Sequence, residues 1–313
     1  MTILTVTLNA AIDKRYDVDA VTVGAVQRVR RVTASAGGKG LNVSRAARLC
    51  GQDVVATGFV AGFAGQFVTG GVVAEGMRDE FVRVPGETRT CINLIDAEGR
   101  STEFLEPGVP VSADDLVRLG ARVGELLADV DAVVLSGSAP SGSPDDVYVP
   151  LVAAAREAGR PVVLDTSGAL LRAGLSARPT AVKPNAEELA ALVGRPLGGL
   201  ADVVAAARSL CAAGPEWVVV SLGADGAVAV SAGRALHAVP PPVVVANPVG
   251  CGDVLVGGLA AGLAAGLDVG AALPFAVAVS AAAAAHPGTG RFDPAYAETI
   301  RGRVTTTDLD LEN

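Results

Sequence analysis

Short apolar runs alternate with amphipathic stretches along most of this 313-residue chain, and that rhythm restricts its fold more than any single motif does. Strand-like runs fall at 3–8, 54–59, 132–135, 161–164, 180–182 and 217–221. Helix-like stretches lie between them at 41–50, 113–127, 145–158, 186–193 and 200–213. A strand that rejoins its sheet through a helix runs parallel to its neighbour, and a parallel sheet needs helices on both faces. The expected architecture is therefore α/β, a mostly parallel central sheet between two helical layers. Half of the residues are apolar but only 4% are aromatic, a composition suited to small side chains packed closely.

Two segments break the rhythm. Residues 12–34 and 81–105 alternate polar and apolar side chains, as in Cys91-Ile92-Asn93-Leu94-Ile95, and are expected to form a small β lid beside a single domain spanning 1–313. The apolar runs 254–267 and 269–285 are expected to be soluble helices rather than membrane spans. Asp268 divides them, Pro274 interrupts the second, and Ala and Gly contribute little to insertion. Gly258, Gly262 and Gly266 recur every four residues, which marks a helix face pressed against a neighbour. A formal charge of −8 argues against nucleic-acid and membrane-surface partners. The first fifty residues run the other way, with eight basic side chains against three acidic ones, which suits an anionic small molecule. Cys50, Cys91, Cys211 and Cys251 form no CxxC pair, and His237 and His286 complete no metal-ligand spacing. With no signal-peptide pattern at the start, the expectation is a cytoplasmic protein with reduced thiols.

Several loops carry chemistry. Gly37-Gly38-Lys39-Gly40-Leu41-Asn42 departs from the P-loop, because Thr33 stands where that pattern has Gly and Gly40 follows the lysine. Its glycines let a ligand approach the backbone while Lys39 and Asn42 reach polar atoms; a plain turn before a helix is the alternative. Asp13 follows the first strand, at the end where open α/β sheets bind ligands, and suits either two sugar hydroxyls or a turn. In Lys183-Pro184-Asn185-Ala186-Glu187-Glu188, the Asn and Glu have capping-box spacing; alternatively, Lys183 and Asn185 face a triphosphate and Glu188 holds hydrated magnesium. Ser221-Leu222-Gly223-Ala224-Asp225-Gly226 ends a strand in a glycine turn. Finally, Asn247-Pro248-Val249-Gly250-Cys251-Gly252-Asp253 opens a helix with glycines and one carboxylate. Either Asp253 complements the helix dipole, or it takes a proton from a hydroxyl while the helix-start amides hold a phosphoryl group.

Together with Thr7-Leu8-Asn9, Thr88-Arg89 and Ser136-Gly137-Ser138, these motifs in this order resemble the ribokinase-like (PfkB) family of carbohydrate kinases over essentially the whole chain. Within that family the chain most resembles the phosphosugar branch, tagatose-6-phosphate kinase and 1-phosphofructokinase. The resemblance implies a Rossmann-like domain with a β lid that clasps a homodimer, ATP as donor with Mg2+, and transfer to a primary hydroxyl of a ketohexose phosphate. It implies Asp253 as catalytic base and the Gly250, Cys251 and Gly252 amides as anion hole. Asp13, Gly38, Lys39 and Asn42 would hold the sugar, and Arg89 and Ser138 its phosphate, with Arg28 reaching a partner's site. Lys183, Asn185, Glu188, Ser221, Gly223 and Gly226 fall on the nucleotide side, and Asn247 and Val249 near a K+ site. A kinase of an unphosphorylated sugar or nucleoside, and a silent sensor on the same scaffold, are the rival functions. The chain departs from the family pattern at Ala10, Thr90, Ala139, Cys251 and Val254.

Overall fold

The computed structural model describes residues 1–309. Strand β1 (Thr2–Thr7) leads into β2 (Ala11–Asp17), β3 (Arg31–Gly37), helix α1 (Lys39–Leu49), β4 (Asp53–Val60) and α2 (Gly62–Ala74). Short strands β5 (Arg78–Asp79) and β6 (Val82–Arg83) precede β7 (Arg89–Ile95), β8 (Ser101–Leu105) and α3 (Ala113–Leu126). Strict alternation resumes with β9 (Ala132–Ser136), α4 (Val149–Glu157), β10 (Val162–Asp165), α5 (Gly168–Leu175) and β11 (Ala181–Val182). Helices α6 (Ala186–Val193) and α7 (Leu200–Cys211) follow, then β12 (Trp217–Ser221), β13 (Ala227–Ser231) and β14 (Ala235–Val239). Helices α8 (Cys251–Ala264), α9 (Val269–Ala284) and α10 (Pro294–Arg301) lead to the last strand, β15 (Thr305–Leu309).

The large sheet runs β15-β14-β13-β12-β11-β10-β9-β1-β4-β5, with β6 also on β4. It is parallel from β12 through β5, and only the β12–β15 edge is antiparallel. Successive side chains on a strand serve opposite layers. Val133 and Leu135 of β9 join a cluster with Leu119 of α3, Val152 of α4 and Val203 of α7. Ala132 and Val134 join another with Leu41 of α1, Val68 of α2 and Leu259 of α8. The chain runs outward from β1 to β4 on one side and from β1 to β9 on the other. The carboxyl ends of β1 and β9 therefore flank a topological switch point, where such sheets bind ligands.

The glycine spacing in the last apolar runs has a direct physical basis. A Cβ at Gly258 would lie 2.7 Å from the Ala276 Cα, and one at Gly262 would lie 2.4 Å from the Ala272 Cβ, so α8 and α9 touch nearly backbone to backbone. Gly266 does something else: it sits past the helix end at φ +82° with open space around it. None of the described helices is long and apolar enough to cross a membrane.

The second, four-stranded sheet has the order β3-β2-β7-β8, with β2 and β7 parallel and the outer pairs antiparallel. Its limits correct the expected lid boundaries. Val82–Arg83, inside the expected 81–105 segment, pairs with Phe59 and Val60 of the large sheet because Phe81, Val82 and Val84 are apolar and buried in the main core. At the other limit, β3 continues to Gly37, past the expected end at 34.

Candidate active site

Above the switch point lies a cleft of about 990 Å³ between the two sheets. Asp13, Gly38, Lys39, Asn42, Arg89, Ser138, Lys183, Asn185, Glu188, Ser221, Asn247, Val249, Gly250, Gly252 and Asp253 all line it, although they come from loops scattered over the chain. Three expected residues sit elsewhere. Gly223 and Gly226 belong to the turn joining β12 to β13, where a Cβ at Gly226 would lie 2.0 Å from the Ala238 carbonyl oxygen; that glycine serves the hairpin. Arg28 lies in the exposed loop between β2 and β3. Cys251 opens α8 between two cleft residues, half-buried, and burial pushes its thiol up to about 11.

Asp253 sits in the first turn of α8, behind Gly250 at φ 82°, and no side chain caps that turn. Its Oδ2 accepts a 2.8 Å hydrogen bond from Asn42 Nδ2. Burial pushes its carboxyl up to about 7 with help from the Asp165 charge, while Lys39, Asn42 and Lys183 pull it back. A carboxyl so placed is a base able to exchange a proton near neutral pH. Val254 faces away, packed among Ala46, Ala278 and Val279 as an apolar core contact.

Two lysines face this carboxylate across a second one. Lys183 Nζ lies 3.3 Å from Asp165 Oδ1, with both side chains almost wholly buried, and Ser136 Oγ donates to Asp165 Oδ2 at 3.1 Å. Asp165 also raises the pKa of Lys39, with Asp253 and Glu188 assisting. Asp165 was absent from the sequence-derived set. Its signal was available: it follows the apolar run 161–164 and ends β10, at the carboxyl edge of the parallel sheet, whereas Asp13, expected just after the first strand, lies within lid strand β2.

The lid side of the cleft is held by its own bonds. Asp13 Oδ2 accepts from the Gly38 N–H at 3.3 Å, and a Cβ on Gly37 would lie 2.1 Å from the Asp13 Cγ, so the glycine pair lets the carboxylate approach the loop. Burial raises the Asp13 pKa, opposed by the Gly38 bond and by Arg89 and Arg45. Arg89 donates from Nε and Nη2 to the Asn9 carbonyl and from Nη1 to the Glu106 carbonyl. A guanidinium has five N–H donors, so two remain for an anion. Asn9 Nδ2 donates to Ser138 Oγ at 3.1 Å, fixing that hydroxyl beside them.

On the opposite side, Asn185 and Glu188 form the reciprocal capping box of α6, with bonds of 2.8 and 2.9 Å. Glu188 spends one carboxylate oxygen there and keeps the other. That remaining Glu188 oxygen, in a residue that lines the cleft, fits a Mg2+ held chiefly by water and phosphate, whereas Asp165 Oδ1 is taken by the Lys183 ammonium. No cluster of three or more acidic, His or Cys ligands occurs among the described residues. Asn247 Oδ1 accepts from the Val249 N–H, and its Nδ2 donates to the Pro287 carbonyl and Thr289 Oγ1, tying the α8 entry to the 287–289 loop.

Residues 6–295 match the model of the pfkB family of carbohydrate kinases. The chain belongs to that family. It is an ATP-dependent phosphotransferase of the PfkB group, which uses ATP and Mg2+. Among solved structures it resembles phosphofructokinase-2 from Escherichia coli in complex with potassium, at 30% identity over 96% of this chain and 98% of that one, with a TM-score of 0.90. A possible 1-phosphofructokinase from Thermotoga maritima is 27% identical over 99% and 100% of the two chains, with a TM-score of 0.86. The ribokinase of Arabidopsis thaliana, at 20% identity over 96% and 98% of the chains and a TM-score of 0.79, shares the fold.

Proposed function

We propose that this PfkB kinase phosphorylates a primary hydroxyl of a ketohexose phosphate, tagatose 6-phosphate or fructose 1-phosphate, to give the bisphosphate. The observation that carries the reading is Arg89, a guanidinium with two unspent N–H donors in the same cleft as the raised carboxyl of Asp253. A neutral sugar has no use for that cation; a second phosphate does.

In the proposed mechanism Asp13 and Asn42 orient the sugar, and Arg89 and Ser138 hold its phosphate. Asp253 accepts the proton as the hydroxyl oxygen bonds to the γ-phosphorus and the bond to ADP breaks. The amides at the start of α8, which no side chain caps, and the cleft-lining Lys39 and Lys183 ammoniums would stabilise the negative charge that builds on the transferred group. Magnesium, when bound, neutralises the nucleotide phosphates; Glu188 would hold it through water. Assembly through the lid into a homodimer belongs to the same reading, supported by a fully exposed β8 whose Phe104 and Leu105 are 56% and 65% accessible. So do a K+ dependence at the Asn247–Val249 turn and, given four free thiols, a cytoplasmic location.

The test is a coupled ADP-release assay over a panel of sugars and sugar phosphates that includes fructose 6-phosphate, with Arg89→Ala alongside the parent. Loss of a charge-assisted phosphate contact worth about 2 kcal/mol predicts a rise of roughly thirtyfold in KM for the sugar phosphate, with KM for ATP unchanged. Equal turnover of an unphosphorylated sugar, or an unaltered KM, refutes the phosphosugar assignment. Absence of turnover with every acceptor favours the sensor.

A further inference from the structure

We infer that Arg45 is a positioning residue for the Asp253 carboxylate and acts through Asn42. The two lie three residues apart on α1 and so share a helix face. Arg45 is only 4% exposed. Its Nε donates to both oxygens of Glu75 at 3.1 and 2.8 Å, its Nη1 to Asn42 Oδ1 at 3.1 Å and its Nη2 to the Ala36 carbonyl of β3 at 3.0 Å. Glu75 is held in turn by Arg291 Nη2 at 2.7 Å.

An asparagine side chain presents an acceptor at one end and donors at the other, and its neighbours decide which way it turns. A guanidinium only donates. The end of Asn42 facing Arg45 must therefore be its carbonyl, which forces the amide N–H toward Asp253 Oδ2 at 2.8 Å. The reversed amide would set a carbonyl oxygen against a carboxylate. Gly290 packs against this side chain and leaves room for it only because it lacks a Cβ, which would lie 3.1 Å from the Asn42 Cβ and Oδ1. With Oδ2 held in this way, the other carboxylate oxygen is left for the acceptor hydroxyl. An apolar residue of similar size would fill this buried position without the desolvation cost of an ion pair, so packing alone does not account for the charge. A lysine would carry the charge without the fork that reaches three acceptors at once.

The inference rests on Asp253 being the base, and the experiment separates the two. In the full-length kinase with its acceptor saturating, Arg45→Met and Arg45→Lys should each lower kcat by roughly 10- to 100-fold with KM for ATP unchanged, as expected when a reacting group is misplaced by about an ångström. In an Asn42→Ala background the same Arg45 changes should cost less than about twofold more, because the residue through which Arg45 acts is already gone. Arg45→Lys keeps the charge beside Glu75 and so guards against a variant that merely fails to fold. A full kcat in Arg45→Lys, or Arg45 effects that multiply with those of Asn42→Ala, overturns the inference. If Asp253→Asn keeps its turnover, the base assignment falls instead.

Discussion

Replacing Asp165 with Asn removes a buried charge from behind the cleft-lining Lys183 while keeping the side-chain shape. Ser136 loses nothing, because an amide end can still meet its hydroxyl at the 3.1 Å spacing. Lys183 loses its partner at 3.3 Å, where an effective dielectric constant of about 20 gives a gross attraction of roughly 5 kcal/mol. Its side chain is 5% exposed, so water does not replace the carboxylate. Breaking a buried pair typically costs about 3–5 kcal/mol; the low end applies here because Asp253 remains as a second anion for Lys183. At roughly 2–3 °C of Tm per kcal/mol for a large domain, about 3 kcal/mol predicts a fall of roughly 6–9 °C in thermal unfolding at pH 8. A second consequence carries the opposite sign for Asp253. The Asp165 charge raises the Asp253 pKa, so its removal should move the acid limb of kcat/KM to lower pH. A Tm within about 2 °C of the parent together with an unmoved acid limb would refute the account of this cluster.

Asp253→Asn should lower kcat by roughly 10²- to 10⁴-fold, the usual worth of a general base, with nucleotide binding retained in a calorimetric titration. In the parent, kcat/KM should fall as pH drops below about 7, because the free enzyme's base is then protonated. Stability runs the other way: a carboxyl whose folded pKa is raised stabilises the fold when protonated and loses that contribution as pH rises through about 7. Asp253→Asn should accordingly raise Tm at pH 8, with the gain shrinking at pH 5; a lower Tm at pH 8 would contradict the burial account. In the α8 and α9 pair, Gly262→Ala forces a Cβ within 2.4 Å of Ala272 and should cost about 1–3 kcal/mol. Gly266→Ala, with open space but a positive φ, should cost about 1 kcal/mol, and equal Tm shifts for the two would argue against the close-packing account.

The alternation of strands and helices was legible in the chain because a parallel sheet covered on both faces demands it, and each strand-like run from 54–59 to 217–221 lies on a strand of the large sheet. Helix α2 was harder to see. Its glycines and apolar residues, including an 83% exposed Phe63, blur any amphipathic pattern. Helix α4 begins at Val149, later than the amphipathic run at 145, with Tyr148 at its N-cap and its hydroxyl bonded to the Gly137 carbonyl. The lid was visible as extended chain, but its edge was not: whether Val82 pairs with β4 or β7 depends on which sheet buries it.

The site divides in the same way. Loops that need glycine, or that place a polar residue near a strand end, announced the cleft-lining Asp13, Gly38, Lys39, Asn42, Lys183 and Asp253, because a tight glycine loop leaves a local trace. Sequence alone determined the sheet class, the family and these cleft-lining loops. Only the tertiary structure decided that Asp165 sits between Lys183 and Ser136, and that Arg45 turns the Asn42 amide toward Asp253. Burial, charge pairing and amide orientation are set by side chains far apart in the chain, such as Asn42 and Asp253, which no local pattern records.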